Sequence, residues 1–173
     1  ATTDVHALAF SVEDWFDVLE GHPDLGRGAV MDHAASVAQM IDELGLSLAF
    51  PPPNEAAPAA ESGRPVGLVE RMLLLSEAAL LSRAGIQALA VLAQRCRPLS
   101  LAASAQLVSE GAPRGRRLWF VGRGTLELRR GAEVGHAGPG SLVGTLASLA
   151  RERMDAALVA KTDALVLELS EDD

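Results

Sequence analysis

The apolar positions of the chain change period twice. Val12, Trp15, Phe16 and Leu19 recur at three- and four-residue steps, and Val37, Met40, Ile41 and Leu44 repeat the pattern, the spacing of one face of a 3.6-residue helix. Ser11 before the first stripe, with Asp14 three positions on, reads as a helix start, and Gly21-His22-Pro23 as its stop. A second helix is predicted over 31–44, ended by Gly45, with short strands at 6–10 and 46–50. Helical spacing returns from Gly67 to Leu81 through Leu68, Met72, Leu75 and Ala79, and from about Gly85 to Arg95 through Ile86, Leu89, Ala90 and Ala93. From Leu99 the period moves towards two: Leu126 and Leu128 alternate with Glu127 and Arg129, and Leu165 and Leu167 with Val166 and Glu168.

Glycine punctuates this last region. Gly111, Gly124, Gly138-Pro139-Gly140 and Gly144 each close a short apolar run, as in compact antiparallel β-structure. Pro51-Pro52-Pro53 opens a stretch to Pro65 that has no apolar face to bury and favours extended, semi-rigid backbone. The predicted fold class is therefore α+β: an antiparallel, jelly-roll-like β-roll preceded by helices at 66–173, a Pro/Ala linker at 51–65, and a small N-terminal α/β lobe at 1–50.

Composition narrows the function. Hydrophobic residues make up 49% of the 173 but aromatics only 3%, so Leu, Ala and Val must fill the core. A net charge of -8 argues against nucleic acid and against anionic membrane surfaces as partners. Cys96 is the single cysteine, which excludes an intrachain disulfide and fits a reducing, cytoplasmic location. No apolar stretch reaches membrane-spanning length, and Ala1-Thr2-Thr3-Asp4 lacks the pattern of a signal peptide.

The ordered set Glu110-Gly111, Leu118-Trp119-Phe120-Val121, Gly124 and Pro139-Gly140-Ser141-Leu142-Val143-Gly144-Thr145-Leu146-Ala147 resembles the cyclic nucleotide-binding domain family over about residues 69–173. The resemblance implies a β-roll whose phosphate-binding cassette is Gly144, Thr145, Leu146, Ala147, Arg153, Met154 and Asp155. In that family a short helix start receives the cyclic phosphate, a Glu takes the ribose hydroxyl and an Arg neutralises the phosphate. Here the Glu position is Thr145 and, with Ala156 to Ala160 aligned to the family's Ala-x-Val-x-Ala strand, the Arg position is Met154, followed by Asp155. Arg153 is adjacent, but a one-residue offset in a strand turns a side chain to the opposite face. Losing the Arg removes a charge-assisted bond worth about 1.5–3 kcal/mol, and Asp155 repels an anion. The expectation is a degenerate cassette that no longer binds cyclic nucleotide tightly. After Leu169 the family would begin capping helices, and no helix-turn-helix follows the roll, so a Crp-like transcription factor is not expected. An uncapped roll and a small N-terminal lobe together suggest self-association.

The stretch His6-Ala7-Leu8-Ala9-Phe10-Ser11-Val12-Glu13-Asp14-Trp15-Phe16 is similar to the opening strand of polysaccharide deacetylases. That resemblance puts Ser11 at the general-base position and Asp14 at a metal-ligand position, without the His motif that completes the site. About 45 residues cannot close a (β/α) barrel, so an inactive remnant is the most it implies.

His22, His33 and His136 are too few and too scattered for a metal centre, and His136 has no carboxylate near it in sequence. No serine sits in a nucleophile elbow, so Ser141, His136 and Asp155 are not expected to form a triad. Arg114, Arg116 and Arg117 form a local positive patch, and Trp15 and Phe16 lead an apolar stripe; both are candidate contacts for a protein partner. The expected protein is non-enzymatic, with no catalytic residues, metal or cofactor, and acts as a regulatory or scaffolding element through a protein partner or self-association. The alternative is a cyclic-nucleotide sensor with an atypical pocket.

Overall fold

A computed structural model describes residues 11, 18, 21–44, 65–113, 117–144, 154 and 156–170. The predicted strands at 6–10 and 46–50, the helix at 12–20, and the linker up to residue 64 lie outside the described residues.

Helix α1 spans Pro23–Leu44 and so begins eight residues before the predicted position 31. Proline suits a first helical position, where no intrahelical partner awaits an N–H, and Asp24 in the first turn complements the helix dipole. Its inward positions are Ala34 and Ala38, one turn apart, while Met40 of the predicted stripe is exposed. Small residues carry the buried face, which a search for large apolar side chains passes over.

Helix α2 runs Leu68–Ser76 and α3 runs Ile86–Arg95, with a 3₁₀ turn at Ala79–Leu81 between them. The predicted helix from Gly67 to Leu81 is thus two elements. The amides of Glu77 and Ala78 reach back to Leu74 and Leu75 at 3.3 and 3.2 Å, one residue short of α-helical bonding, and this tightening ends the helix. Arg71 Nη1 donates to the carbonyl of Cys96 at 2.8 Å, fastening α2 to the C-terminus of α3.

Eight strands follow among the described residues: β1 (Arg97–Leu101), β2 (Gln106–Val108), β3 (Arg117–Arg123), β4 (Leu126–Arg130), β5 (Glu133–Ala137), β6 (Leu142–Val143), β7 (Ala157–Ala160) and β8 (Ala164–Ser170). They form two antiparallel four-stranded sheets, ordered β1-β8-β3-β6 and β2-β7-β4-β5. The observed α+β architecture agrees with the predicted roll behind helices.

Two cores share the first sheet. Trp119, Val121, Val143, Ala164 and Val166 face the second sheet and pack on Leu126, Leu128, Ala137, Leu158 and Ala160. Phe120, Leu165 and Leu167 face the other way, onto Leu74, Leu75, Leu89 and Ala93 of the helices. Strand β8 is therefore buried on both faces through its first four residues, which explains why its apolar run barely alternates. Arg123 and Glu70 pair at 2.7 Å and tie α2 to the end of β3. At the β3–β4 turn Gly124 has φ +71°, and a Cβ there would overlap the carbonyl oxygen of Asp163, so only glycine closes this corner.

Candidate functional site

The candidate site is the end of the roll where β6 runs out and β7 begins. Trp119 pairs with Val143 across β3–β6 and with Glu168 across β3–β8. Cross-strand partners project to the same face, so the indole, the Val143 side chain and the Glu168 carboxylate share the inner side of the roll. Gly144 follows directly, at φ +93°. A Cβ on Gly144 would stand 2.8 Å from the Arg117 carbonyl oxygen and 3.0 Å from the Trp119 ring. The backbone of Gly144 thus lies flat against the indole, and no other residue type fits both the conformation and the space.

Met154, ahead of β7, is held at the turn that follows β2. Its amide donates to the carbonyl of Ala112 at 3.1 Å, and its carbonyl accepts from Gly111 at 2.8 Å. These bonds hold it beside the turn that opens at Glu110. Its side chain is buried within the apolar core of the roll, in the cluster that contains Trp119, Val121, Leu128 and Leu158. The position that the family resemblance gives to a phosphate-neutralising cation therefore holds a thioether, packed among hydrocarbon and an indole. A flexible, polarisable methionine suits this irregular space.

Among the described residues, Glu168, Arg117 and Arg97 bear charge at this end of the inner face, the rim of the roll. Trp119 Nε1 donates to Glu168 Oε2 at 2.9 Å, and Arg117 Nη1 lies 4.0 Å from the same oxygen. Arg97 pairs with Glu168 across β1–β8 and so projects to the same side. A carboxylate that accepts from an indole, between two arginines, is the polar end of an otherwise apolar interior.

Of the sequence-predicted cassette, the described residues include Gly144 and Met154, which the fold brings to one end of the roll. Thr145, Leu146, Ala147, Arg153 and Asp155 lie outside the described residues, as do Trp15, Phe16, Arg114 and Arg116. Of the predicted positive patch, Arg117 is described, and its guanidinium lies beside Glu168 at the rim. Trp119 and Glu168 are the site residues that sequence reasoning missed. They are 49 positions apart, and only the register of β3 on β8 joins them.

His136 needs one correction. Glu133, three residues before it, pairs with Arg130, and β4–β5 pairing places His136 opposite Glu127 instead. Its Nε2 is 3.7 Å from Glu127 Oε2 and 3.0 Å from Lys161 Nζ. The hydrogen bond from Arg129, and then the charges of Arg129, His136 and Lys161, hold the Glu127 carboxyl below its ordinary value. This network lies on the outer face of the second sheet, away from Met154. Among the described residues, no three His, Cys, Asp or Glu side chains are grouped to hold a metal ion, and no helix is long and apolar enough to cross a membrane.

With this geometry in place, the comparisons identify the class. The model of the cyclic nucleotide-binding domain family matches residues 98–173. The N-terminal domain of a transcriptional regulator from Streptomyces coelicolor A3(2) is 26% identical, with 57% of this chain and 74% of that chain covered and a TM-score of 0.52. Two further structures share the fold: the regulatory domain of Toxoplasma gondii PKA with cAMP, at 23% identity, 61% and 42% coverage and TM-score 0.53, and a cyclic nucleotide-binding domain from Methylobacillus flagellatus KT, at 18%, 61% and 62%, and 0.51. No curated protein matches the chain in sequence. Residues 98–173 form a cyclic nucleotide-binding-like domain of the kind found in regulatory proteins.

Proposed function

We propose that this domain is a regulatory or scaffolding element that has given up nucleotide binding and works through protein contacts, without catalysing a reaction. One observation carries the reading: Met154, buried in the same apolar core cluster as Trp119, stands where the family resemblance calls for the cation that neutralises a cyclic phosphate. An anion seated beside the Met154 side chain would lose its hydration to a hydrocarbon wall. Thr145, in place of the ribose-binding Glu, works in the same direction. What remains is a β-roll whose described inner face at this end is largely apolar.

The test is thermal denaturation of the intact chain with cAMP, cGMP and cyclic dinucleotides. The proposal expects no shift in Tm. A true receptor at a ligand concentration of 100 Kd would gain about 2.7 kcal/mol, or roughly 5–10 °C for a chain of this size.

A sensing role is the second reading, and it rests on the rim. The Arg117 carbonyl lies against the space beside Gly144, and its guanidinium is within 4.0 Å of Glu168. A nucleotide bound at this end would compete with Glu168 for Arg117. Under this reading Arg117→Ala abolishes a Tm shift that the intact chain displays.

A further inference from the structure

The outer surface of the helical layer contains a groove unrelated to the roll interior. It has a volume of about 660 Å³, and its apolar lining includes Leu81, Ala84, Ala88, Val91, Leu92 and Leu169. Its long wall is the exposed side of α3 and the residue just before it: Ala84, ahead of the helix, is followed by Ala88, Val91 and Arg95 on it, at steps of four, three and four. That is the seam a second helix packs along, and alanines at two of its positions let a partner backbone come close. Val91 is 55% exposed and Ile86, at the start of the same helix, 74%, so the seam has no cover among the described residues.

Charge narrows the occupant. From Leu81 to Arg97 the chain carries Arg83, Arg95 and Arg97 and no acidic residue, and Arg95 lines the groove itself. A fitting partner is an amphipathic helix with a compact apolar stripe and acidic flanks. Residues 11–20 of this same chain, Ser-Val-Glu-Asp-Trp-Phe-Asp-Val-Leu-Glu, have that character. Val12, Trp15, Phe16 and Leu19 fall at i, i+3, i+4 and i+7, while Glu13, Asp14, Asp17 and Glu20 supply four negative charges with no basic residue among them. A stripe led by two aromatics offers large apolar area at small side-chain entropy cost.

We propose that residues 11–20 dock in cis, as a helix, into the groove between α3, the 3₁₀ turn and the end of β8. The tether is long enough. The 21 residues from 45 to 65 alone can extend roughly 70 Å, so the segment and the groove meet at the high effective concentration of an intramolecular contact. The apolar stripe would cover the α3 seam, and the acidic flanks would lie beside Arg83 and Arg95. The N-terminal part of the chain then covers the helical layer of the roll domain.

The two tryptophans of the chain supply the readout. Trp119 is 3% exposed, so acrylamide quenching of the intact chain reports Trp15. Docking predicts that Trp15 is shielded in the intact chain at every protein concentration. Val91→Glu and Arg95→Glu, both at exposed positions, each place a negative charge against the acidic segment and should lower the docked-to-free ratio roughly tenfold. In the Arg95→Glu chain, Asp14→Lys with Asp17→Lys should restore the shielding. Val134→Glu on the distant β5 should leave it unchanged. Trp15 equally quenched in the intact chain and in Val91→Glu and Arg95→Glu would overturn the proposal. Shielding that disappears on dilution would also overturn it, because the groove would then belong to a second copy.

Discussion

Trp119 and Glu168 face each other across β3–β8, with the indole Nε1 donating to the carboxylate at 2.9 Å. The pair marks the boundary between the apolar core of the roll and its charged rim. Buried indole N–H groups need an acceptor, and a charged acceptor gives the stronger bond. A double-mutant cycle of Trp119→Phe and Glu168→Gln should return a coupling of about 1 kcal/mol in urea denaturation, below the usual 1.5–3 kcal/mol because the carboxylate retains some contact with water. Additive single effects would mean that the hydrogen bond is not formed in solution.

Gly144 stands against the same indole, and its φ of +93° is closed to L side chains. Gly144→Ala should destabilise the chain by about 1–3 kcal/mol through backbone strain and the clash with the Arg117 carbonyl. For a chain of this size that amounts to a fall in Tm of roughly 2–12 °C. An unchanged Tm would show that the turn has another conformation.

Leu75 is fully buried between α2 and the outer face of the first sheet. Leu75→Ala should cost about 2–5 kcal/mol, with the lost protection from hydrogen exchange concentrated in α2 and α3. Equal loss throughout the roll would indicate that the helical layer and the roll unfold as one unit.

The Glu127 carboxyl is held below its ordinary value, first by the Arg129 hydrogen bond. The sign follows from linkage. A depressed folded pKa adds stability that is complete above the unfolded value and is lost as pH falls through the folded one. The urea midpoint of the natural chain should therefore fall slightly more below pH 4.5 than that of Glu127→Gln. Parallel pH profiles for the two chains would remove the ion network from the account.

The strands were legible because the chain spells them twice, in two-residue alternation and in glycine corners. Leu126 and Leu128 point inward as the pattern requires, and Gly124 and Gly144 sit at positive φ where runs end. The helical region was harder to read. Apolar spacing continues from Leu68 to Leu81 and hides the change at Ser76 from α-helix to 3₁₀ turn, which depends on backbone bonding rather than on side-chain pattern. In α1 the buried described positions are Ala34 and Ala38, while Met40 of the predicted stripe is exposed. β8 carries apolar residues on both faces, and only the helices packed behind it explain why. At the site, the resemblance pointed to Met154 but not to its neighbours. Trp119, Glu168 and His136 gain their partners through register, a long-range property that no local spacing encodes.

The most direct measurement is a crystal structure of the intact chain grown with saturating cyclic AMP. On this account Met154 should remain buried in the core of the roll, Trp119 should still donate to Glu168, and no nucleotide should occupy the end of the roll. Density for cyclic AMP against Gly144, with its phosphate held by the Arg117 guanidinium and Met154 displaced, would contradict it.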